Sequence, residues 1–159
     1  MYNPQEILAL VQFAERIKLK MPAELGDAPI SQLQIICNGI GADWMSAKSR
    51  RIITRLLSYA EASAMIHDWQ YHHSDGDELT RSLVDEDFLH NALREVRSKH
   101  PQWWNIRRIL GERAILAAHE VLCRTGGIAW NDAFANRVKR KLQSLNISTN
   151  QFFNLAEIK

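Results

Sequence analysis

The sequence predicts an all-α fold, and three observations carry that expectation. β-branched residues rarely alternate with polar ones, so strand signals are nearly absent. Apolar residues recur instead at three- and four-residue spacings, the period of one helix face. Capping residues and breakers punctuate these runs. The 159 residues suit one compact domain that buries a core without staples, and 46% hydrophobic with 24% charged content is ordinary for a globular chain.

Taken in order, Asn3-Pro4 is a cap and first-turn pair that opens a helix over about 4–19, with Ile7, Leu8, Val11, Ala14 and Ile17 on one face. Met21-Pro22 through Ala28-Pro29 is a breaker-rich connection. Residues 31–36 are read as a short helix or an extended segment leading into the glycine loop Cys37-Asn38-Gly39-Ile40-Gly41. Ser46 suits the cap of a helix carrying Ile52, Ile53, Leu56 and Leu57. Ser58 and Glu61 have capping-box spacing, so a fresh helix is expected from Ser58 to about His73, followed by the turn Ser74-Asp75-Gly76-Asp77. Thr80–Ser98 reads as a helix with Leu83, Phe88, Ala92, Leu93 and Val96 inward. Pro101 marks the start of a helix over about 102–124, which Gly126-Gly127 is expected to stop. A helix over 129–143 and a short one from Thr149 complete the expectation.

The chain opens Met-Tyr-Asn-Pro-Gln-Glu with no basic start ahead of an apolar run, so no signal peptide is expected, and no apolar stretch has spanning length. Cys37 and Cys123 cannot form a disulfide framework; two buried free thiols are expected, which points to a reducing compartment such as the cytoplasm of a cell or of an infected host. The formal net charge of +2 does not argue for nucleic acid. Arg137, Lys139, Arg140 and Lys141 are expected to be solvated surface, with phosphate contact as the weaker reading. His72, His73, His90 and His119 lack zinc-ligand spacing. A metal phosphohydrolase of the His-Asp type needs a ligating His upstream of its pair, and the first histidine here is His67 itself.

The residues that carry chemistry centre on His67. On the helix from Ser58, His67 and Tyr71 are four apart and share a face, while Asp68 is rotated by about 100°. If the helix from Thr80 runs back along this one, Asp85 or Asp87 comes close to His67. A His held by an Asp is the minimum equipment for a general base that activates water. Asp68 with carbonyls of a glycine loop offers the hard oxygens that calcium prefers.

Met65-Ile66-His67-Asp68-Trp69-Gln70-Tyr71 resembles the active-site helix of phospholipase A2. Cys37-Asn38-Gly39-Ile40-Gly41 is similar to that family's calcium loop, and Val84-Asp85-Glu86-Asp87-Phe88-Leu89 to the Asp-bearing segment of its disulfide-poor phage and viral members. Thr125-Gly126-Gly127-Ile128-Ala129-Trp130 resembles a late Gly-Gly-aromatic element. The chain departs from the secreted relatives at Ala42, where they carry glycine, and at Ala64, Met65 and Gln70, where they carry cysteines around the His-Asp pair.

The resemblance implies a compact single-domain bundle built on two antiparallel active-site helices with a short calcium loop. It divides the chain into an N-terminal extension over 1–30, a core over 31–136 and a basic tail over 137–159. The implied activity is calcium-dependent hydrolysis of a phospholipid ester. His67 is then the base, Asp85 orients it, and Tyr71 hydrogen-bonds to that Asp. Ca2+ is held by Asp68 and the carbonyls of Cys37, Gly39 and Gly41, and the Gly39 N–H helps to stabilise the oxyanion. The implied partner is a phospholipid membrane surface. Trp103-Trp104 with Arg107, Arg108 and Arg113 suits contact with it, although one indole in the core and the other half exposed is the expected arrangement. The competing reading is a non-catalytic phage-type scaffold that offers its N-terminal helix to a protein partner.

Overall fold

The computed structural model describes residues 2–37 and 58–144, and every regular element among them is a helix. These are α1 (Pro4–Arg16), α2 (Ala23–Gly26), α3 (Ile30–Ile36), α4 (Glu61–His72), α5 (Glu78–Lys99) and α6 (Ile106–Ser144). The expected helices around Ile52–Leu57 and from Thr149 lie outside the described residues, as does the loop from Asn38 to Ala42.

α1 forms as its sequence dictates. Asn3 accepts the Glu6 N–H and Glu6 reaches back to the Asn3 N–H, a complete capping box with Pro4 in the first turn. The helix ends at Arg16, earlier than expected, because Lys18 takes a left-handed φ of 54° and the chain turns. Its apolar stripe of Ile7, Val11 and Ala14 packs inward with Leu25, Leu33, Met65, Ile66 and Trp69, whereas Leu8, expected on the same face, is 45% exposed.

α4 lies at the centre and is buried on nearly every side. Met65, Ile66 and Trp69 face α1 and α3, while Ala64 packs with Phe88, Ala92 and Val96 of α5 and Ile115 and Ala118 of α6. This helix begins at Glu61 and not at Ser58, and its N-cap residue, Ala60, has no side chain that can cap it. The cap comes from α5. Glu95, fully buried, accepts the N–H groups of Ala62 (3.3 Å) and Ser63 (2.9 Å) and the Ser63 hydroxyl (2.8 Å). A carboxylate at a helix N-terminus meets both the unpaired N–H groups and the positive end of the dipole.

α5 is capped by Asp77, which accepts the Thr80 N–H at 2.8 Å, and it runs antiparallel to α4. Its inward stripe keeps Phe88, Ala92 and Val96 as expected, with Leu93 packed beside them, but Leu83 is 54% exposed, and Arg81, Asp85, Asn91 and Glu95 are buried on the inward side with Val84. Four buried polar groups on one helix face must each find partners.

α6 corrects a second expectation, because it runs unbroken through Gly126-Gly127. At Gly126 a Cβ would collide with the Tyr71 hydroxyl, so this glycine is a notch that admits Tyr71, and the backbone there stays helical. The positive φ that glycine permits is used at Gly76 (φ 81°), in the turn before α5, beneath the Phe134 ring. Cys37 is buried and free as expected, but Cys123 is free and exposed, its Sγ 3.5 Å from Nε2 of His119 one turn back on the outer face of α6. Trp103 and Trp104 are both exposed, at 73% and 66%, neither ring entering the core. Among the described residues no helix is long and apolar enough to cross a membrane.

Candidate functional site

The site grows from the polar stripe of α5 facing α4. His67, buried between the rings of Tyr71 (4.2 Å) and Phe88 (5.1 Å), points Nε2 at Asp85 Oδ1 over 3.1 Å. Tyr71 donates its hydroxyl to the same oxygen at 2.7 Å. Arg81, one turn before Asp85, donates to Oδ2 at 2.6 Å and clasps Glu78 with its other nitrogens. Asp85 thus gathers three donors in a place 1% exposed. Asp87 lies elsewhere: it pairs with Lys20 Nζ at 2.7 Å, and Asn91 holds the backbone of Lys20 with two hydrogen bonds.

The electrostatics fix the proton positions. Burial alone would raise the Asp85 pKa, but hydrogen bonds from His67 and Tyr71 and the charges of His67 and Arg81 outweigh it and hold the carboxyl below its ordinary value. An ionised Asp85 only accepts, so His67 donates from Nε2 and its neutral form keeps the lone pair on Nδ1. Burial, then the Asp85 charge, raises the Tyr71 phenol, which therefore stays a donor.

Asp68 points away from this network, as its helical phase requires. It is half-buried, yet enough protein surrounds its carboxyl that burial pushes the pKa up to about 7. No described cation pairs with it. Its charge is felt by Cys37, whose thiol is pushed up to about 12 by burial and then by Asp68, and by Tyr2, pushed up to about 12 chiefly by burial. Cys37 therefore stays a thiol, its Sγ 3.6 Å from the Met65 carbonyl. The structure thus brings together His67, Asp85 and Tyr71 in one group and Cys37 and Asp68 in another; Gly39 and Gly41 lie outside the described residues.

Sequence reasoning missed Arg81. The signal was present, since Arg81 and Asp85 have i,i+4 spacing, but such pairs are usually solvated and nothing in the sequence showed this one to be buried. It also missed Glu95 as the cap of α4. Of the basic residues near the C-terminus, Arg137 donates to the His73 carbonyl at 2.7 Å, closing the end of α4, while Lys139, Arg140 and Lys141 are exposed. Comparison with protein-family models, curated proteins and solved structures finds no match.

Proposed function

We propose that this chain is a calcium-dependent hydrolase of phospholipid esters, of phospholipase A2 type, with His67 as its general base. One observation carries the reading: buried Asp85, held in its ionised form, accepts a hydrogen bond from His67 Nε2–H and leaves Nδ1 as the basic nitrogen. Tyr71 and Arg81 supply the remaining hydrogen bonds of Asp85 and hold it at a fixed position. Water held by Nδ1 gives up its proton as its oxygen bonds to the ester carbonyl carbon. The imidazolium formed is stabilised by Asp85 and returns the proton to the departing alkoxide.

The Asp68 carboxylate is one hard oxygen ligand of the kind calcium takes. It is costly to ionise in its surroundings, and a divalent ion beside it removes that cost. Asp68 and the Cys37 carbonyl would hold Ca2+, with Gly39 and Gly41 completing the set on the family resemblance. Bound there, it supplies positive charge to the oxyanion. The exposed Trp103-Trp104 pair, followed by Arg107, suits contact with an anionic lipid surface.

A scaffold reading draws on a different observation. His67 is 7% exposed, and Arg81 takes part of the Asp85 charge, as in a purely structural network. Fatty-acid release from phospholipid vesicles, measured with calcium and with chelator, separates the two. The hydrolytic reading predicts release that needs calcium and is lost in His67→Ala; no release from wild type, or equal release from the variant, leaves the scaffold.

A further inference from the structure

The outer face of α6 carries a side-chain pair that the network around His67 does not use. His119 has no second histidine at ligand spacing, but Cys123 stands four residues on, one turn further along the same helix. The Cys123 thiol is free and exposed, and its Sγ lies 3.5 Å from Nε2 of His119. In a tetrahedral zinc site, bonds of about 2.3 Å to sulfur and about 2.0 Å to nitrogen set a sulfur–nitrogen edge of about 3.5 Å. The pair therefore already stands at the spacing of two ligands on one ion.

Two ligands leave half of the tetrahedron open. Among the described residues no third His, Cys, Asp or Glu joins them to make a metal-holding group, and the neighbouring Glu120 is engaged by Arg124. The surface beside the pair is apolar. Ile109, Leu116 and Cys123 are seven residues apart and form one row along the helix, with Leu110 and Val121 beside it, and the four apolar side chains are all exposed. A row repeated every seven residues is the pattern by which helices pair, and an exposed apolar patch of this kind marks an interaction surface. A second copy of the chain, related by a twofold axis, offers the same row and the same pair.

We propose that two copies of this chain hold one zinc ion between them, each copy giving His119 and Cys123. The four ligands make the closed two-cysteine, two-histidine set of a structural zinc site. Each thiol releases its proton to solvent as its sulfur bonds to the metal, and each His119 ring gives the lone pair of Nε2. The apolar rows of the two copies then cover one another, and the ion fixes which faces meet. Thiolate and imidazole suit zinc, whereas Ca2+ takes hard oxygens, so the site stands whether or not the hydrolytic reading holds.

The test titrates the full chain, kept reduced and freed of metal, with Co2+, whose spectrum reports both geometry and thiolate bonding, and then displaces it with Zn2+. Tetrahedral cobalt bands with a thiolate-to-cobalt charge-transfer band are expected, saturating at one ion per two chains. Sedimentation velocity is expected to show monomer becoming dimer with zinc, reversed by chelator. Cys123→Ser alters an exposed side chain and is expected to lose the charge-transfer band and the dimer. His119→Gln, checked as folded by circular dichroism, is expected to lose the tetrahedral bands and the dimer. A spectrum without thiolate bonding, or bands and a dimer that persist in Cys123→Ser, overturns the proposal. Saturation at one ion per chain with the chain still a monomer overturns it as well.

Discussion

Asp85 and Glu95 are two buried carboxylates on the same inward stripe of α5, and both grip α4. Glu95 spends its oxygens on the backbone N–H groups that open α4, on the Ser63 hydroxyl and on Lys99 Nζ at 2.8 Å. Asp85 spends its own on side chains alone: an imidazole, a phenol and a guanidinium. The donors at the Glu95 end hold the start of α4 and include no imidazole with a second ring nitrogen. The Asp85 end holds a ring whose other nitrogen can take a proton. Equal burial and equal charge therefore divide into anchor and orienter according to what the partner is able to do next.

On the proposed hydrolysis, the largest effect that separates them is on turnover. Asp85→Asn is expected to cut fatty-acid release about 10²- to 10⁴-fold, the range of a general base, because an amide at that position no longer enforces the Nε2–H form of His67. Steady-state rates at saturating lipid check this. Glu95→Ala is expected to act on stability instead, losing about 3 kcal/mol by leaving helix donors and Lys99 without their charged acceptor. Urea unfolding at pH 7 reads it.

A smaller effect sharpens the Asp85 end. Gly126→Ala drives a Cβ into the Tyr71 hydroxyl that Asp85 holds, and is expected to cost about 1–3 kcal/mol. Gly127→Ala meets nothing closer than Arg81 Nε at 3.9 Å and is expected to gain up to about 1 kcal/mol from helix propensity. The difference between their thermal midpoints is the measurement.

The smallest effect concerns pH. Asp85, with a lowered pKa, contributes stability that is full above the ordinary carboxylate value and lost as pH falls through its own. Asp68 has the opposite sign. Raised from 3.8 to about 7, it keeps a proton that the unfolded chain has released, so stability declines as pH climbs between those values. Asp68→Asn is expected to remove that decline, and calcium to offset it in wild type only; denaturant midpoints at pH 5 and pH 8, with calcium and with chelator, check both.

The helical class and an acidic partner for His67 at Asp85 or Asp87 were legible because they rest on period and hairpin geometry, which are local. The choice of Asp85 came from the family resemblance alone. What the sequence hid was set by residues distant in the chain. Ser58 and Glu61 satisfy a capping pattern, yet Glu95 supplies the cap from another helix. Gly126-Gly127 reads as a stop, yet Tyr71 needs the missing side chain. Leu83 fits an apolar stripe, yet α5 is turned so that Arg81 and Asp85 face inward. Asp85 and Asp87 could not be separated by phase alone; Lys20, held by Asn91, claims Asp87.

The most direct test of this division sets wild type, Asp85→Asn and Glu95→Gln side by side in calcium-dependent fatty-acid release, at a temperature where circular dichroism shows all three folded. The account predicts release from wild type and Glu95→Gln and its loss in Asp85→Asn. No release from wild type, or losses that follow stability and fall equally on both variants, would contradict it.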